Sequence, residues 1–426
     1  MYTLGINAAF HDSAASLVKD GELIAAAEEE RFTHVKHGKR PVPFSAYELP
    51  YHAIDYCLKE AGIHLNKVDH IAYSFDPAIN RIQVYPGLDD LYLSSIRRAP
   101  GLLVSGYPHH LQKRFDGTTT SGFEWHFVDH HIAHAASAFI VSPYQHAAVL
   151  TIDGRGENVS TTYYLGKGNQ LEKLSEVFIP HSLGLLYEAV TTHLGFLHSS
   201  DEYKVMALAS YGKPTFLDEF SSIIHLGKNG TYTIDNCMLE PMFGSARKRN
   251  APFTQKHFDI AHSLQKALEA AVLQLVNWLY EVTGEENLCL AGGVALNCVM
   301  NAVIRDKGPF KNIWVQPAAG DAGTALGAAL WTDIQERKAT DRKFLMDHAF
   351  WGPAYTDEEV EAFLKWTKVP YRRLDNIAKE AAQILAQDKV IGWYQGRMEF
   401  GPRALGSRSI LASPIHAEMQ ARLNDI

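Results

Sequence analysis

Two histidines four positions apart, His130 and His134, lie in the segment VDHHIAHAAS, residues 128–137. On a helix that spacing stacks both imidazoles on one face, one turn apart, where they can reach a single metal ion. The chain holds 21 histidines, and at that frequency about one H-x-x-x-H pair arises by chance. His126 and His130 form another. No glutamate follows the first histidine, which excludes zinc-protease chemistry. Two carboxylates would complete a ligand set: Asp153 ends an apolar strand just before Gly154, and Asp321 occupies the turn Gly320–Asp321–Ala322–Gly323. Two histidines with two carboxylates suit iron, manganese or zinc rather than copper or calcium. The competing role for either aspartate is a turn or helix cap, which local sequence slightly favours.

Phosphate chemistry has its own candidates. Gly292 and Gly293 begin the run GGVALN, ending at Asn297, between a strand and a helix. Free N–H groups and the helix dipole attract anions there. The run is neither a Walker A loop nor G-x-G-x-x-G, and an ordinary tight turn fits it as well. The turn Asn7–Ala8–Ala9 is a second place where N–H groups can meet a phosphate, with His11 and Asp12 beside it. Lys36 falls in the basic stretch THVKH, whose alternative is a solvated loop. The segment GRMEFGPRALGSR, residues 396–408, sets Arg397, Arg403 and Arg408 among glycines. Guanidinium forks suit a planar anion such as carbamoyl phosphate or a nucleotide, and an exposed arginine loop is the even alternative.

These residues need a frame. Tyr2–Ile6, Ala14–Val18 and Leu23–Ala27 read as a three-strand meander with a hairpin turn at Lys19–Gly21. AAVLTID (147–153), VSTTYYL (159–165) and Leu171 onward repeat the pattern roughly 145 residues later. A duplicated α/β domain with a cleft between its halves follows. Apolar positions over Phe258–Tyr280 predict a helix ended by Gly284, and IWVQ (313–316) predicts a strand before an alanine-rich helix to Trp331. Asp333–Lys343 reads as a linker or exposed helix end. A new unit begins after a boundary at 345–355, with helices over Asp357–Trp366 and Ile377–Gln387 and a strand over Lys389–Trp393. The expected domains are therefore 1–345 and 355–426.

At 426 residues with 46% hydrophobic side chains, the chain can bury large cores. A net charge of −8 excludes a general nucleic-acid binder. No run approaches the roughly 18 apolar residues of a membrane span. The opening MYTLGINAAF has no basic n-region, so no signal peptide is expected. Cys57, Cys237, Cys289 and Cys298 form no C-x-x-C pair, which fits a cytoplasmic protein.

Taken together, FHDSAAS (10–16), AEEERFTHVKHG (27–38), HHIAHAASAF (130–139), LTIDGRGE (150–157), SLGLLYEAV (182–190), EYKVMALASYG (202–212), AGGVALNCVMN (291–301), PAAGDAGTALGAA (317–329) and QGRMEFGPRALGSRSIL (395–411) resemble one family. It is the O-carbamoyltransferases of the nodulation and antibiotic-tailoring type, and the resemblance spans the whole chain. It implies a first domain of the actin/sugar-kinase/Hsp70 type, similar to the universal tRNA-threonylcarbamoylation protein, followed by the start of a YrdC-like domain. It implies an iron-like metal on His130, His134, Asp153 and Asp321, with zinc or manganese as alternatives. Nucleotide would lie against Asn7, Gly292, Gly293, Asn297, Gly320 and Gly323, with Lys204 close by, and His11, Lys36 and Arg403 match active-site positions. The implied reaction makes carbamoyl-adenylate from carbamoyl phosphate and ATP, releasing diphosphate. A hydroxyl of a small-molecule or sugar acceptor then attacks it, giving an O-carbamate and AMP. The partners implied are these small molecules, with no nucleic acid or membrane, and a homodimer as candidate assembly. Family members continue well past the helix-like end Ala421–Ile426, so a shortened or split form is expected, one making little carbamoyl-adenylate unaided. Two alternatives stand: a non-catalytic nucleotide- and metal-binding fragment that needs a partner, and tRNA threonylcarbamoylation.

Overall fold

The computed structural model describes residues 1–39, 48–79, 90–105, 122–235 and 239–425. Cys237 lies outside them. The chain forms two compact units, Met1–Asp347 and His348–Ile426.

The first unit opens with β1 (Tyr2–Asn7), β2 (Ala14–Lys19) and β3 (Glu22–Glu28). Asp20 and Gly21 take φ of 50° and 89°, the left-handed pair that a tight hairpin requires. β4 (His70–Tyr73) and β5 (Glu124–Phe127) extend the sheet to the order β3-β2-β1-β4-β5. β1 runs antiparallel to β2 and parallel to β4. Helix α1 (Tyr51–Glu60) packs against β2 and β3. The second sheet repeats this plan. β6 (His146–Ile152), β7 (Val159–Lys167) and β8 (Gln170–Phe178) form the meander. After the small ribbon of β9 (Ile224–Leu226) and β10 (Tyr232–Ile234), β11 (Asn287–Ala291) and β12 (Asn312–Val315) add in parallel beside β6. The order β12-β11-β6-β7-β8 matches the first sheet strand for strand. The unit is thus a duplicated, mixed α/β fold of the actin/sugar-kinase type.

Four helices position the chemistry. α2 (His130–Phe139) follows β5, and its N-terminus is capped by Asp129, which accepts from the Ile132 N–H at 2.8 Å. α3 (Gln255–Thr283) lays Leu264, Leu268, Val272, Leu275 and Leu279 into the second core and ends at Gly284, φ 63°. Each such side chain contributes roughly 1.5–3 kcal/mol by leaving water. α4 (Cys298–Lys307) and α5 (Asp321–Arg337) complete the set. α2 belongs in sequence to the first half yet packs on β6 and β11, whereas α5 belongs to the second half and packs on β1 and β2. The two helices also pack on each other. These close approaches demand bare backbone: where α5 lies on β1 a Cβ on Gly5 would collide with the Ala325 carbonyl, and where α5 meets α2 one on Gly327 would collide with that of Ala133.

Of the two readings of Asp333–Lys343, the exposed helix end fits Gln335, Glu336 and Lys338 where α5 ends at Arg337, whereas Asp333 is fully buried. Its carboxylate accepts from the Arg337 Nε at 2.8 Å, which lets a charged residue continue the inner helix face.

The second unit holds α6 (Asp357–Thr367), started by a Thr356–Glu359 capping box, and α7 (Ile377–Leu385). β13 (Ile391–Tyr394) pairs antiparallel with β14 (Arg408–Leu411). No helix among the described residues is long and apolar enough to cross a membrane.

Candidate active site

α2 presents His130 and His134, the end of β6 presents Asp153, and the first residue of α5 is Asp321. The His130 Nε2 lies 3.5 Å from Asp153 Oδ2 and 3.6 Å from Asp321 Oδ1. The His134 Nε2 lies 3.8 Å and 3.6 Å from the same two oxygens. All four side chains are buried. Neither histidine Nε2 has a hydrogen-bond partner, nor does either oxygen of Asp321. Buried polar atoms are almost always paired, so four converging orphans point to a missing ligand. The donor set suits a divalent metal of the iron, manganese or zinc kind.

Outer partners aim these ligands. The His130 Nδ1 donates to the Ser74 carbonyl at 3.0 Å, which leaves Nε2 as the lone pair facing the cluster. The Asp153 Oδ1 accepts from the Gly293 N–H at 2.8 Å while its Oδ2 faces the histidines. Asp321 caps nothing, since the N-cap is Gly320, so the capping alternative fails for this residue. Burial alone would neutralise the set. The facing imidazoles outweigh it for Asp153, held well below the carboxylate range, and the carboxylates hold His130 well above the imidazole range.

A second group stands at the β1–β2 loop. Asp12 Oδ2 is 3.0 Å from His11 Nδ1, and Asp12 Oδ1 is 2.6 Å from His37 Nδ1. The far nitrogen of His37, Nε2, meets the Ser200 Oγ at 2.9 Å. Asp12 and His37 both have positive φ, at 51° and 65°, so two strained backbones meet at this relay, and Ser199, next to Ser200, has a φ of 53°. Burial pulls the His11 pKa down, but the Asp321, Asp12 and Asp153 carboxylates outweigh it and raise it to about 10.

The remaining candidates separate. Lys36 and Lys204 converge on Asp201 Oδ1, at 3.6 Å and 2.9 Å, and both lie over the Tyr203 ring. Asn7 is committed to backbone: its Nδ2 donates to the His11 and Asp12 carbonyls at 2.8 and 3.1 Å, and its Oδ1 accepts from Ser74. Asn297 caps α4 and pairs with Gln265. The glycine turns keep their N–H groups for the protein. Gly292 donates to the Ala319 carbonyl, Gly293 to Asp153 and Gly323 to the Gly320 carbonyl. Gly292 sits at φ 92°, where a Cβ would strike the Ile152 carbonyl, so close strand packing already requires it. Gly320 lies beside Asp12. Arg403 belongs to the second unit. There Arg397 donates to the Trp351 and Gly352 carbonyls and Arg408 to Glu399, so two of the three arginines brace the loop. A cavity of about 610 Å³ adjoins it, lined by His348, Trp351, Arg397 and Ser407 among others.

Sequence reasoning missed Ser74, Glu157, His37 and Ser200. Glu157 accepts from the His130 and Asp76 N–H groups at 3.0 and 2.7 Å, fixing the start of α2. Burial, then repulsion from Asp129, pushes its pKa up to about 8. Glu157 shares a glycine turn with Asp153, the one local signal available.

The family model for the carbamoyltransferase N-terminus matches residues 2–330, and that for the carbamoyltransferase C-terminus matches 382–426. An uncharacterized protein of Synechocystis sp. is 42% identical over 99% of this chain and 73% of its own length. Nodulation protein NolNO of Sinorhizobium fredii is 40% identical over 99% of this chain, which spans 61% of that protein's length. Among solved structures, T. kodakarensis HypF superposes with a TM-score of 0.48 and 15% identity, covering 79% of this chain and 48% of HypF. The N-terminal family match spans both duplicated sheets and all four clustered ligands, and the chain belongs to the carbamoyltransferase family.

Proposed function

We propose that the protein transfers a carbamoyl group from carbamoyl phosphate, by way of ATP-dependent carbamoyl-adenylate, to a hydroxyl of a small-molecule or sugar acceptor. The observation that carries this reading is the cluster of His130, His134, Asp153 and Asp321 beside the His11–Asp12 pair. Residues 355–426, with Arg403, are read as the beginning of the YrdC-like part that forms the adenylate: water splits carbamoyl phosphate into carbamate and phosphate, and the carbamate oxygen attacks the α-phosphate of ATP as diphosphate leaves. A divalent metal, iron in the first place and zinc or manganese otherwise, would be held by the four buried ligands and would supply Lewis-acid stabilisation of charge on a phosphoryl or carbonyl oxygen. The nucleotide would pack against the turns at Gly292–Gly293 and Gly320–Gly323 without using the N–H groups already committed there, with Asn7 and Asn297 shaping the walls and Lys204 at the margin.

His11 then does the proton chemistry. Asp12 accepts from its Nδ1, leaving Nε2 to take the proton of the acceptor hydroxyl. The acceptor oxygen bonds to the carbamoyl carbon as the bond to the AMP oxygen breaks, and AMP departs. Were Asp153 and Asp321 to hold a cation, their pull on His11 would be offset and its pKa would fall toward the range of a base, with Asp12 still favouring the charge. Lys36 offers positive charge toward the leaving phosphate. The test is incubation with pre-formed carbamoyl-adenylate and a panel of hydroxylated acceptors, scoring acceptor-dependent products. Carbamate ester and AMP are expected together, and both should vanish in His11→Ala; ester formation at an undiminished rate by that variant would overturn the assignment.

A further inference from the structure

Lys39 is the one lysine with a buried side chain among the described residues. Its Nζ donates to three consecutive backbone carbonyls, those of Ala8, Ala9 and Phe10, at 2.7, 3.4 and 3.0 Å. The next two carbonyls, of His11 and Asp12, are taken by the Asn7 amide. The Tyr92 hydroxyl donates to the Ala9 carbonyl as well. Five successive peptide oxygens of the β1–β2 loop are therefore gathered by side-chain donors. No regular structure would do this, because the loop belongs to neither strand. In a trans peptide the following N–H points away from its carbonyl, so the loop keeps its carbonyls toward Lys39 and Asn7 and turns the amides of Ala9, Phe10 and His11 away from Lys39.

The chemistry of the cage is specific. An ammonium has three donors and no acceptor, and here three carbonyls meet it. Carbonyl rings of this kind otherwise hold a desolvated monovalent cation, whose hydration they replace. We propose that Lys39 is a tethered monovalent cation, a positioning residue that fixes the Ala8–Phe10 backbone and through it the placement of His11 and Asp12. The site it occupies is one for an ion of the potassium or ammonium class. The inference rests on the cage geometry and stands apart from the carbamoyl reading, so either can fail alone. Burial pulls the Lys39 pKa down to about 7, against Asp321, Glu48 and Asp12, which favour the charge. The test is therefore best run near pH 6.

Lys39→Ala removes the ammonium and leaves a space among the carbonyls. Thermal unfolding of the 426-residue chain should show the variant melting on the order of 5–10 °C below wild type in lithium or tetramethylammonium chloride. About half of the loss should return at ~100 mM ammonium or potassium chloride. Wild type should ignore the identity of the cation, and so should Lys39→Met, whose thioether fills the space. Equal response of Lys39→Ala to all four salts, or an undiminished melting temperature in lithium, would overturn the proposal. Should Lys39→Ala fail to fold, 15N-lysine labelling of the wild type decides. One ammonium signal protected from solvent exchange is expected, and its absence would also overturn the proposal.

Discussion

His134 illustrates what one residue contributes here. Neither of its ring nitrogens has a hydrogen-bond partner, and it is fully buried. A buried imidazole left so would cost stability unless a ligand compensated it. His134→Ala is expected to strip bound metal from the purified protein, measured by elemental analysis; unchanged metal content would remove the residue from the ligand set. Glu157 gives a pH signature. Its pKa rises to about 8 in the folded protein from an ordinary value near 4.5, mainly through burial. The folded state then holds the proton that the unfolded state has released, so this group favours folding at low pH and that contribution is lost as pH climbs from about 4.5 to 8. In metal-free protein, Glu157→Gln should flatten the dependence of the urea midpoint on pH between 5 and 8, and a variant as pH-sensitive as wild type would contradict the assignment. The H-x-x-x-H pair was legible because its contact is one helical turn. Asp12 with His37 and His37 with Ser200 were not, because they join positions 25 and 163 apart through loops whose shape no local spacing encodes.

At the scale of elements, the strands and long helices were legible because their apolar runs have a period, as in α3 and in both meanders. The glycine turns show where such reading stops. Gly292 and Gly293 look like a phosphate cradle in one dimension, yet their N–H groups are taken by Ala319 and Asp153 in three. Asp333 is the converse, charged in sequence yet fully buried against Arg337. The α2–α5 crossing makes the sharpest prediction. Gly327→Ala places a methyl against the Ala133 carbonyl, one position before His134. It should cost roughly 1–3 kcal/mol or more of stability, as overpacking does. It should also weaken metal binding, because α2 and α5 carry three of the four ligands. Denaturation together with metal titration checks both, and a stable variant with wild-type affinity would show that the close approach is not what sets the ligand spacing.

For the molecule as a whole, both large cores and all four ligands fall within Met1–Asp347. Residues 1–347 expressed alone should unfold cooperatively and bind metal at the stoichiometry of the longer chain. Failure to fold would mean that the second unit supplies stability the first lacks. The duplication was visible as a repeated meander, but its most consequential feature was not. Because each half contributes a helix that covers the other half's sheet, the two repeats behave like a domain-swapped dimer written into one polypeptide. A cut between them, near residues 140–146, would take the exchanged helix from each sheet and leave α1 on the first and α3 on the second. The ligands divide along the same line, with His130 and His134 on one exchanged helix and Asp153 and Asp321 in the other half, so a cut there leaves neither half with the full set.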